Sequence, residues 1–171
     1  MRRSSLMLLL AGCIALPAAL SMADSDKPYT LQDLQALDQR KAWNELIPHL
    51  MDVPPSQRSK EWDTLAEHAC IQPGQIDPDL AQACLQPLQG VLAAQPDNKD
   101  FAWKAGKWAR VNLASWTAVP FFAKAVSGPK DARCRDKDIR LALDSAKDQV
   151  PASNPELADQ IKALQSACAI Q

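Results

Sequence analysis

Four cysteines, Cys70, Cys84, Cys134 and Cys168, flank proline-containing breaks in the chain, and their placement restricts the fold more than any other feature of the sequence. Four cysteines allow three pairings; helical geometry chooses one. From Asp136 to Val150 the apolar residues Ile139, Ala142, Leu143, Ala146 and Val150 recur at intervals of three and four, and from Pro155 to Cys168 so do Leu157, Ile161, Leu164 and Cys168. Pro151, Asn154 and Pro155 separate these two amphipathic helices, with Asn154 as N-cap and Pro155 at the first helical position. Cys134 and Cys168 each stand 17 residues from Pro151, so an antiparallel hairpin brings them together. The same reasoning pairs Cys70, ending a helix from about Ser56, with Cys84, two turns into a helix opened by Asp77 and Pro78 beyond a turn at Gly74. There is no Cys-x-x-Cys, and 13 and 33 intervening residues suit neither a redox pair nor a metal site, so both bonds read as structural. Each is expected to contribute roughly 3–4 kcal/mol in the chain-entropy model.

Bonded cysteines belong to an oxidising compartment, and the N-terminus supplies a route to one. In MRRSSLMLLLAGCIALPAALSMADSDKP, Arg2 and Arg3 form a positive end, Leu6 to Leu16 an apolar run, and Ser21 and Ala23 the small residues before a cut ahead of Asp24. Residues 1–23 therefore read as a secretory signal peptide, too short to span a bilayer permanently. The stretch LAGC, Leu10 to Cys13, resembles a bacterial lipoprotein cleavage site, which makes lipidation of Cys13 the competing route. That route leaves Ile14 to Leu20 as an apolar tether where a polar, flexible one is wanted. Pro17 suits an ordinary signal peptide, because it ends the apolar helix about two turns before Ala23. Either route delivers the chain to the periplasm, the cell envelope or beyond it.

Five glycines against thirteen prolines, with Ala, Leu, Gln, Asp and Lys dominant, favour helices broken by proline over sheet. The formal net charge of -1, or -3 without Arg2 and Arg3, gives no electrostatic case for nucleic acid or an anionic membrane. Beyond a polar lead at residues 24–29, expected to be flexible, residues 30–171 read as one all-α domain with a helix capped by Thr30, a bend or restart at Pro48 and a stop at Pro54 and Pro55. Further helices are expected over Ser56–Cys70, Asp77–Ala94, Asp97 to about Asn112, and Ala114–Val126 with a kink at Pro120.

The stretch QPDNKDFAWKAGKWARVNLASWTAVPFFAKAV, about residues 96–126, resembles a tetratricopeptide unit through Pro96, Ala105, Gly106, Ala118, Phe122 and Ala125. The small residues let two helices approach closely, and Phe122 fills the groove between them. The pattern is departed from at Pro120, inside the second helix, and at Trp103, one place off the aromatic position. The resemblance implies antiparallel helix pairs stacked as a short α-solenoid; an irregular helical bundle is the other arrangement that fits.

No catalytic constellation emerges. His49 and His68 fall in different expected helices, the serines lack a nucleophile elbow, and the paired acids Asp97 and Asp100, and Asp136 and Asp138, sit at helix starts where they complement the dipole. No metal or cofactor is expected. Five tryptophans against one tyrosine and three phenylalanines are the surface clue. Trp43, Trp62, Trp108 and Trp116 lie on apolar faces and are expected in the core. Trp103 groups with Lys107 and Arg110, next to Lys104, as a basic aromatic patch able to grip an acidic protein partner. These features point to an exported, disulfide-stabilised protein-binding or scaffold domain. A stoichiometric inhibitor or immunity protein is the alternative, and a cell-wall-acting enzyme the outsider.

Overall fold

Side-chain caps set several helix starts in the computed structural model, which describes residues 27–149 and 154–170; the leader, Cys13, Asp24 and Pro151 lie outside the described residues. Thr30 and Asp33 form a reciprocal capping box at the head of α1 (Leu31–Gln39). Asp77 accepts from the Asp79 N–H at the start of α4 (Pro78–Ala94), and Asn98 from the Phe101 N–H at the start of α5 (Lys99–Asn112). Asn154 accepts from the Leu157 N–H at 3.1 Å, with Pro155 opening α8 (Pro155–Cys168), as expected. The remaining helices are α2 (Trp43–His49), α3 (Lys60–Ile71), α6 (Val119–Ala125) and α7 (Lys137–Gln149), with 3-10 turns at 50–52, 55–57, 115–118 and 132–135. No strand occurs among the described residues.

Three breaks differ from the sequence expectation. The first falls at Lys41, in the left-handed region with φ 55°, and not at Pro48, which sits inside α2 one residue before its end. The missing N–H of Pro48 forgoes a single i→i−4 bond, to Asn44, and the helix gives way to a 3-10 turn after His49. The second lies before α3: Pro55 makes only a short 3-10 turn, and the α-helix begins at Lys60. The third is at Pro120, which is the second residue of a new helix and no kink. Its absent N–H is one of those the first turn leaves unpaired in any case, so proline is tolerated there. The polar lead also ends sooner than expected. Tyr29 stacks on His49 with ring centroids 4.0 Å apart, its N–H donates to Asp52 and its hydroxyl to Glu45.

Packing follows chain order. The principal helix contacts join elements one or two places apart, α1 to α2 and α3, α4 to α5, α5 to α6, and α6 to α8, while one continuous apolar core runs from Leu34 to Leu164. Trp62 fills the first half, 1% exposed, with its indole N–H donating to the Leu50 carbonyl at 2.9 Å. In the second half Gly106 faces Phe122 so closely that a Cβ there would lie 2.6 Å from two ring carbons. This is the close approach of α5 and α6 that the small residue was expected to permit. Trp62 and Trp108 are buried, whereas Trp43 and Trp116 are only half-buried.

Both disulfides pair as the helical count requires. Cys70–Cys84 joins α3 to α4, and Cys134–Cys168 joins the 132–135 turn to the last turn of α8. The second bond is reached differently from the simple hairpin, because among the described residues α8 packs chiefly on α6. Two such bonds belong to an oxidising, exported environment. No helix among the described residues is long and apolar enough to cross a membrane.

Candidate functional site

Of the residues expected to form a basic patch, Trp103, Lys107 and Arg110 share one face of α5 and Lys104 turns instead toward α3, and the charges of all three basic residues are engaged within the fold. Lys104 reaches Glu67 of α3 at 2.8 Å. Lys107 contacts both Asp136, at 3.1 Å, and Asp138, and its ammonium lies 5.5 Å from the centre of the Trp103 ring. Arg110 meets Asp138 at 2.5 Å, Nε to Oδ1, without the alignment of a hydrogen bond. Asp138 is 2% exposed, so this network is an internal clamp between α5 and α7. Burial weighs most heavily against the charge on Lys107, yet its bonds to Asp138 and Asp136 prevail and raise its ammonium above the ordinary lysine value. Burial likewise opposes ionisation of Asp136, and the Asp138 N–H together with Lys107 still holds its carboxyl below the usual range. Trp103 is half-buried, its ring 5.2 Å from that of Phe122.

Sequence reading assigned Asp136 and Asp138 only to the start of a helix and missed this second role. It also missed two histidine–carboxylate contacts, His49 to Asp52 at 2.8 Å and His68 to Asp38 at 3.5 Å. Asp52 additionally takes the Tyr29 N–H, so that cluster fastens the entry of the chain to α2. Among the described residues no group of three or more His, Cys, Asp or Glu side chains is placed to hold a metal ion.

A different region has the form of a binding site. The C-terminal half of α4, the 115–118 turn, α6 and the first half of α8 enclose an open groove of about 910 Å³, near the upper end of the range usual for ligand sites. Leu92 and Leu157, both buried, contribute to its lining with Pro96, Trp116, Pro120 and Ala123. Its exposed polar margin carries the amides of Gln89 and Asn154, the ammonium of Lys124 and the carboxylates of Glu156 and Asp159. Half-burial of Trp116 leaves part of an indole available to an incoming group, the arrangement in which tryptophan anchors a partner. No local motif announces this groove. The nearest signal in the sequence is the high tryptophan content.

No protein-family model, no curated protein and no solved structure matches the chain.

Proposed function

We propose that the chain is an exported protein-binding domain of the cell envelope that holds an extended segment of a partner protein in the groove between α4, α6 and α8. The half-buried Trp116 at an apolar, proline-containing lining carries this reading. Amides and charges of both signs around the margin suit a peptide backbone and mixed side chains better than a compact anion or cation. The two disulfides support a place in the periplasm or at the cell surface, where disulfides form and persist. Inhibition of a secreted enzyme is the same act with an enzyme as partner.

Site-specific photo-crosslinking in the native envelope tests it. A photoreactive residue in place of Gln160 should give one discrete protein adduct, the same residue in place of Lys60 on α3 should give none, and Trp116→Ala should reduce the Gln160 adduct at least tenfold, the consequence of losing an anchor worth about 1.4 kcal/mol or more. Equal adducts from both positions, or an adduct indifferent to Trp116→Ala in a folded variant, would overturn the assignment.

A further inference from the structure

The two disulfides differ in access. Cys70 and Cys84 are each 0% exposed, sealed between α3 and α4, whereas Cys134 is 8% exposed and Cys168, in the last turn of α8, is half-buried. The two sides of the second bond also differ in how firmly they are held. Arg133, beside Cys134, donates to the Ala125 carbonyl at 2.9 Å and to Asp100 at 2.5 Å, and Asp131 accepts the N–H groups of Arg133 and Ser127. Helix α8 buries only Leu157 and Leu164 and leans chiefly on α6. Breaking the bond therefore leaves the 132–135 turn held by its own hydrogen bonds and leaves α8 to its packing on α6 alone.

We propose that Cys134–Cys168 is a thiol–disulfide exchange site for a dithiol reductant of the exported compartment, and that its opening releases α8 as a wall of the groove. The second half of this proposal rests on the groove reading above. One thiolate of the dithiol attacks the Sγ of Cys168, the less buried of the two residues; the Cys134–Cys168 bond breaks, Cys134 departs as a thiolate, and a mixed disulfide forms. The second thiol of the reductant attacks its own sulfur in that mixed disulfide and expels Cys168 as a thiolate. The dithiol leaves oxidised to a disulfide, having delivered two electrons, and its two protons end on the two cysteines. The buried Cys70–Cys84 bond stays closed and keeps α3 and α4 together.

The protein treated with dithiothreitol under native conditions, quenched with iodoacetamide and mapped by peptide mass, tests the exchange site. Labelling of Cys134 and Cys168 should run on the order of a hundredfold faster than that of Cys70 and Cys84, because a sealed bond waits for a large opening of the fold. Hydrogen exchange on the half-reduced species should show lost protection across α8 and retained protection in α3 and α4. The Cys134→Ser, Cys168→Ser variant should reproduce that pattern without reductant. A single labelling rate for all four cysteines, or unchanged protection of α8 in both the reduced protein and the variant, would overturn the latch. These readouts need no ligand, so they stand apart from the groove assignment. Equal photo-crosslinking from Gln160 in oxidised and half-reduced protein would overturn the coupling alone.

Discussion

Phe122→Ala is expected to lower the unfolding free energy by about 3–5 kcal/mol, the range for removing a large aromatic side chain from a core. Phe122 is 0% exposed, covers the backbone of Gly106 and supports the Trp103 ring. Against a total stability of roughly 5–15 kcal/mol for a domain, such a loss shifts the melting point by about 10 °C or more. The contact with Gly106 gives the test a sharper form. A methyl at position 106 would sit 2.6 Å from two ring carbons of a fully buried side chain, so the ring or the helix must shift. Gly106→Ala alone is therefore expected to destabilise by about 1–3 kcal/mol, although alanine is the better helix former by about 1 kcal/mol. In the Phe122→Ala background the same methyl enters vacated space, and the double variant should be no less stable than Phe122→Ala alone. Urea unfolding of the four proteins measures the coupling; additive losses would mean that α5 and α6 do not meet at this pair.

The second large effect is expected at Asp138. Its carboxylate is 2% exposed and takes the charges of Lys107 and Arg110. Removing one member of a fully buried ion pair costs about 3–5 kcal/mol because the other charge is stranded. Here Lys107 and Arg110 are 39% and 24% exposed, so water recovers part of the loss, and Asp138→Ala should cost about 2–3 kcal/mol. Lys104→Ala, which breaks only the exposed contact with Glu67, should cost under about 1 kcal/mol, and its effect should fade with salt. Chemical denaturation at low and high ionic strength separates the two. Equal small losses would show that the α5–α7 clamp carries no weight.

Much of the fold was legible because its signals are local. Thr30, Asp77 and Asn154 announce helix starts through their own side chains, and both disulfides follow from counting residues across short breaks. The misplaced breaks have a physical cause. Lys41 adopts a positive φ that its residue type does not advertise, and proline is an ambiguous mark, compatible with a helix start at Pro120 and with the closing turn of α2 at Pro48. The site was harder to read because it is made of distant pieces. Trp103, Lys107 and Arg110 do share a helix face, as spacing requires, but the carboxylates that occupy them arrive from a helix some 28 residues further on. The groove combines α4, α6 and α8, and no residue in it carries a signal of its own.

The most direct measurement of the central claim is an NMR titration of the isotopically labelled protein with the partner that the Gln160 crosslink identifies. The indole N–H resonances of the five tryptophans give a compact readout. Binding in the groove should move the Trp116 indole and the backbone amides of residues 156–163 in α8, and leave the Trp62 indole and the amides of α3 unchanged. Shifts centred on Trp103, Lys104 and Lys107, with Trp116 unmoved, would contradict the groove and place recognition on the α5 face.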